Sequence, residues 1–85
     1  MNLNHFVKTR PYLFWSNRNP AKLSPAVILE NTLNYGDFSD VKILLSILGQ
    51  KKAAAIFQQQ IKSRRANYRP VIKNYFQLYF KKYAS

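Results

Sequence analysis

From residue 24 onward, apolar positions recur at helical spacing and the interruptions fall where helices start and stop. Ser24-Pro25 reads as an N-cap followed by proline at the first helical position, where a missing N–H costs nothing. Ala26, Leu29 and Leu33 then share a face that Val27 and Ile28 widen, predicting a helix over 25–35. Gly36 is suited to a left-handed C-terminal cap. Asp37 or Ser39 can cap the next helix, with Asp40 in its first turn complementing the dipole. Val41, Leu44, Leu45 and Leu48 form an i, i+3, i+4, i+7 stripe, and Ile43 and Ile47 add a second apolar edge. So broad a surface predicts a central helix over 38–48, contacted on more than one side and ended by Gly49.

The pattern continues over 50–63, with Ala53, Ile56, Phe57 and Ile61 inward and Lys51, Lys52, Gln58, Gln59 and Lys62 outward. The run Arg64-Arg65-Ala66-Asn67-Tyr68-Arg69 breaks it. Pro70 restarts a helix at its first position and disfavours helical geometry at Arg69. Over 70–83, Ile72, Phe76, Tyr79 and Tyr83 make an inner stripe flanked by Tyr75, Leu78 and Phe80, while Lys73, Gln77 and Lys81 face water. Before residue 24, Pro11 and Pro20 discourage a long helix, and Asn17-Arg18-Asn19-Pro20 reads as a turn. Residues 1–23, with the aromatic patch Tyr12-Leu13-Phe14-Trp15, are therefore expected to lie as an extended arm across the helices. The expected fold is all-α: a small four-helix domain over 24–85 with an extended N-terminal arm.

Within it, Val41–Lys62 fits the general plan of a helix-turn-helix, two helices joined at Gly49 with Lys51 and Lys52 opening the second. Against that plan, Leu45 is large where close helix approach favours alanine or glycine. Gln50 and Gln58 are polar at positions usually apolar in that motif.

Composition narrows the function. At 85 residues, 47 % apolar and 15 % aromatic, the chain is one small domain and too rich in apolar residues for a disordered tail. The absence of cysteine excludes disulfides, thiolate metal sites and cysteine nucleophiles. The longest apolar run, Ala53–Phe57, is far short of the roughly 20 residues of a membrane span. The N-terminal MNLNHFVKTR lacks a signal peptide's apolar core, so a cytoplasmic chain without membrane association is expected.

Catalysis is not expected. His5 is the only histidine, near a terminus, with no sign of the nucleophile and orienting carboxylate a triad needs. The three acids, Glu30, Asp37 and Asp40, are few for acid–base or magnesium chemistry, and two of them sit where helix N-termini want negative charge. Gly36 and Gly49 are isolated, so no phosphate-cradling loop is present. The reading is a non-enzymatic binder without a cofactor.

Charge says where it binds. Fourteen Lys and Arg face three acids, a net +11. Residues 50–85 hold nine bases, Lys51, Lys52, Lys62, Arg64, Arg65, Arg69, Lys73, Lys81 and Lys82, and no acid. An anionic partner should meet that half first. Arg64, Arg65 and Arg69 flank Asn67 and Tyr68 in one loop, where guanidinium forks match phosphate oxygens and a tyrosine can stack or donate its hydroxyl. Lys51, Lys52, Lys62, Arg64, Arg65, Arg69 and Lys73 are thus the candidate nucleic-acid contacts. Phe14 and Trp15 are either packing residues or, together with Tyr68, anchors in a partner's pocket.

Four strings then carry a resemblance: Tyr12-Leu13-Phe14-Trp15; Val27-Ile28-Leu29-Glu30-Asn31-Thr32-Leu33-Asn34-Tyr35-Gly36-Asp37; Val41-Lys42 through Leu48-Gly49; and Asn74-Tyr75-Phe76-Gln77-Leu78-Tyr79-Phe80. Together, over roughly residues 11–80, they resemble a family of small bacterial proteins commonly encoded beside nucleotidyltransferase-type toxins of abortive-infection systems. Ser16 stands where family members often carry an acid. The resemblance implies an antitoxin-like helical module that binds a toxin and represses its own operon through DNA. The alternative is a free-standing nucleic-acid binder, a small transcription regulator or RNA-associated protein.

Overall fold

Where an extended arm is expected, the chain forms its first helix. The computed structural model describes residues 2–14, 23–63 and 67–83, and α1 spans Leu3–Lys8. Its N-cap is Asn2, whose side-chain oxygen accepts the His5 backbone N–H at 2.9 Å. A short 3-10 helix, Pro11–Leu13, follows. Phe6, Val7, Leu13 and Phe14 are all buried, so this stretch is part of the core and not a strap laid over it. A six-residue helix is too short to hold itself in water. Burial of its apolar pair stabilises it, a tertiary effect that leaves no periodic mark in the sequence.

The remaining helices fall where the punctuation predicts: α2 over Pro25–Tyr35, α3 over Phe38–Leu48, α4 over Gln50–Ser63 and α5 over Pro70–Tyr83. The fold is all-α. Ser24 Oγ accepts the Val27 N–H at 3.3 Å to start α2. Asp37 caps α3 in a capping box, accepting the Asp40 N–H at 2.9 Å while its own N–H donates to Asp40 Oδ2 at 3.2 Å.

The two glycines end helices for different reasons. Gly49, alone between α3 and α4, has φ of 88°, a conformation that side chains with a Cβ resist. Gly36 does not take the expected left-handed cap: its φ is −77° and its ψ 160°. What it supplies is room, because a Cβ there would lie 2.7 Å from the Thr32 carbonyl oxygen and 3.1 Å from Asp40 Cβ.

The core is one cluster to which every helix contributes. As its two apolar edges predict, α3 is central and touches α1, α2 and α4. Inside α4, Phe57 is fully buried and gathers Tyr68, Phe76 and Phe80, with ring centroids 5.0, 6.5 and 5.3 Å away. This turns α5 from its expected orientation. Phe76 and Phe80 face inward, Ile72 and Tyr79 are half-buried, and Tyr83 is 56 % exposed. Phenyl rings can be buried without a hydrogen-bond partner, whereas a buried tyrosine hydroxyl must find one.

Candidate binding surface

The acids are used by the fold itself. Asp40, 4 % exposed, accepts from Arg10 Nε at 2.8 Å, from the Tyr12 hydroxyl at 2.8 and 3.0 Å, and from the Asp37 N–H. Burial alone would raise its pKa. The hydrogen bonds from Arg10, Tyr12 and the Asp37 amide outweigh that and hold it below the ordinary carboxylate value of 3.8. The Tyr12 hydroxyl is pushed the other way, by desolvation and by its bond to Asp40. Arg10 in turn lies over the Phe6 ring, 4.3 Å from its centroid.

The third acid fastens the loop before α5. Glu30 Oε1 accepts the Asn67 N–H at 2.6 Å. Asn34 accepts the Arg69 N–H and donates to the Asn67 carbonyl, both at 3.2 Å. Buried Gln60 donates to the Ala26 carbonyl at 2.9 Å and accepts the Tyr68 hydroxyl at 2.7 Å. Among the described residues no buried side-chain nitrogen or oxygen lacks a hydrogen-bond partner.

Two of the candidate partner anchors are engaged in packing. Phe14 is 3 % exposed and packs in the core, so its ring has no face to offer. Tyr68 is half-buried against Phe57, with its hydroxyl held by Gln60; burial, then the Glu30 carboxylate, raise its pKa. Trp15, Arg64 and Arg65 lie outside the described residues. His5 is exposed, with its backbone N–H in the α1 cap.

The lysines stand as predicted. Lys51, Lys52, Lys62, Arg69, Lys73 and Lys82 are exposed, and none pairs with an acid side chain. Lys51, Gln58 and Lys62 fall on one row of α4, with Lys52 and Gln59 beside it. Arg69, pinned through its backbone to Asn34, lies over the Tyr35 ring at 5.0 Å, and Lys73 follows one turn into α5. The lysines at the start of α4 meet a helix N-terminus with no acid in its first turn, an unfavourable place for positive charge. They are not there to stabilise the helix.

Gly49 alone connects α3 to α4, and Leu45 is buried at 3 %. The connection is tighter than the three- to four-residue turn usual for a helix-turn-helix.

Two apolar features escape the sequence reading. A groove of about 530 Å³ between α2 and α4 is lined by Ala26, Val27, Ala55 and Ile56, with Glu30, Gln59, Gln60 and Ser63. On α5, Val71, Tyr75 and Leu78 are 73, 51 and 63 % exposed. Their i, i+4, i+7 spacing was the available signal, masked because Tyr75 and Leu78 also flank the inner stripe.

Among the described residues, no three His, Cys, Asp or Glu side chains gather as a metal site, and no helix is long and apolar enough to cross a membrane. No protein-family model, curated protein or solved structure matches the chain.

Proposed function

We propose that this chain is a non-enzymatic, antitoxin-like protein that docks its basic C-terminal half on an acidic surface of a nucleotidyltransferase-type toxin and neutralises it. The carrying observation is the division of charge. Glu30, Asp37 and Asp40 are bound inside the fold or in helix caps, while Lys51, Lys52, Lys62, Arg69, Lys73 and Lys82 face solvent without an acid partner. Such surplus charge steers encounter and selects an oppositely charged surface more than it adds stability. The toxin class rests on the resemblance alone. An acidic, metal-binding active site is a surface that lysine ammonium groups would complement, and blocking it would neutralise the enzyme.

A second reading, operator DNA binding, is favoured by the exposed Lys51, Gln58 and Lys62 row with Lys52 and Gln59 beside it. Ammonium groups would take phosphates there, and the amides could reach base edges.

Purification from the native source at two salt concentrations, with and without nuclease, separates the readings. A stoichiometric protein partner that survives nuclease is the expected result. Recovery with nucleic acid alone would contradict it. If six phosphates were neutralised, DNA affinity would fall by about 10³ between 50 and 200 mM salt.

A further inference from the structure

We infer that the outer face of α5 is a docking site for an acidic amphipathic helix of a partner protein. The inference rests on the proposal that the C-terminal half binds a protein, and it narrows that partner to a shape and a charge.

Four of the large apolar side chains the fold leaves exposed lie on this one helix: Val71, Tyr75, Leu78 and Tyr83. At about 100° per residue, Val71, Tyr75 and Leu78 fall within about 60° of one another, and Lys82 continues their row. Phe76 and Phe80 occupy a different side, buried against Phe57. The helix therefore has two apolar faces and has filled only one. An i, i+4, i+7 row of exposed anchors is what a second helix with the same spacing packs against.

Charge selects the occupant. After Asp40 the sequence contains no acid, and nine Lys and Arg lie between residues 50 and 85. A second copy would bring two such basic halves together with no Asp or Glu side chain in either. A helix carrying Asp or Glu beside its apolar row meets both features, burying Val71, Tyr75 and Leu78 and facing Lys82. A lipid surface fits less well. An interfacial helix needs a broad apolar face, and here Phe76 and Phe80 are already committed to α4.

The test uses the full chain and two synthetic peptides of about 18 residues, some five turns, with one Leu and Glu composition. One peptide places Leu at heptad a and d positions; the other is shuffled. Calorimetry should show the patterned peptide binding at least about tenfold more tightly. Leu78→Ser and Tyr75→Ser, which keep the net charge, should each weaken it by about ten- to a hundredfold, given what burying a large apolar side chain contributes. Leu78→Ser should leave the circular dichroism unchanged, because its side chain is exposed. Tyr75→Ser also gives up ring contacts with Phe76 and Tyr79, so Leu78→Ser is the deciding variant. Equal binding of the two peptides, or binding indifferent to Leu78→Ser, would overturn the inference. So would a concentration-dependent dimer in sedimentation, or a Leu78-dependent affinity for phosphatidylglycerol vesicles without affinity for the peptide. Failure here, with a native protein partner still released by charge reversal on α4, sinks this inference alone. Absence of any protein partner sinks the reading beneath it.

Discussion

Residues 2–48 and residues 50–83 solve the problem of charge in opposite ways. In the first segment, Arg10, Tyr12, Asp37 and Asp40 are locked together, and the Asp40 carboxylate is buried yet ionised because each neighbour donates to it. In the second, the interior is a cluster of phenyl rings around Phe57, and Lys51, Lys52, Lys62, Arg69, Lys73 and Lys82 are exposed. Removing Asp40 or Arg10 from the first segment removes a joint of the fold. Removing one of these cations from the second leaves the core intact and changes chiefly what the surface attracts.

Mutations can break that contrast or sharpen it. The heaviest loss should come from Phe57→Ala, which empties the centre of the aromatic cluster. A cost of about 3–5 kcal/mol is expected, approaching the whole stability of a small domain, so thermal melts should show little cooperative folding. Asp40→Ala should cost about 3 kcal/mol, since it leaves Arg10 and Tyr12 without their acceptor. Its pH signature follows from the depressed pKa. The folded carboxylate holds its proton more weakly than the unfolded one, so its stabilisation is full above the ordinary value of 3.8 and is lost as pH falls through the lower folded value. Acid unfolding curves should therefore lose that step in Asp40→Asn.

Gly49→Ala should cost about 1–2 kcal/mol through its positive φ alone, as nothing lies within 4 Å of the added methyl. Denaturant midpoints would measure it. The smallest effect has the opposite sign. Lys51→Glu and Lys52→Glu place negative charge at the start of α4 and should each stabilise by about 0.5 kcal/mol, read as a small rise in Tm.

Much of the fold was legible because helix ends carry local chemistry. Ser24-Pro25, Asp37, Gly49 and Pro70 act through their own backbone or the next turn, so four helices could be bounded from sequence alone. The rest depends on contacts between distant residues. Nothing in Arg10 or Tyr12 announces that Asp40, some 30 residues away, will accept from both. Gly36 is needed for space beside Thr32 and Asp40, which a sequence does not display. Gln60 is polar and buried because Ala26 and Tyr68 happen to meet it. Lys51, Lys52, Lys62 and Lys73 were readable as exposed because no acid follows Asp40 in the sequence, and none of the four pairs with an acid side chain. Phe14 takes the packing alternative and Tyr68 is half-buried against Phe57; aromatic type alone does not distinguish an interior ring from a surface anchor.

The central claim is that Lys51 and Lys52, at the start of α4, serve a partner and not the fold. The most direct measurement pairs thermal unfolding with partner binding in one variant, Lys51→Glu/Lys52→Glu. The account predicts a Tm at or above that of the native chain, together with loss of the complex recovered from the native source. A lowered Tm, or a complex that forms with undiminished affinity, would contradict it.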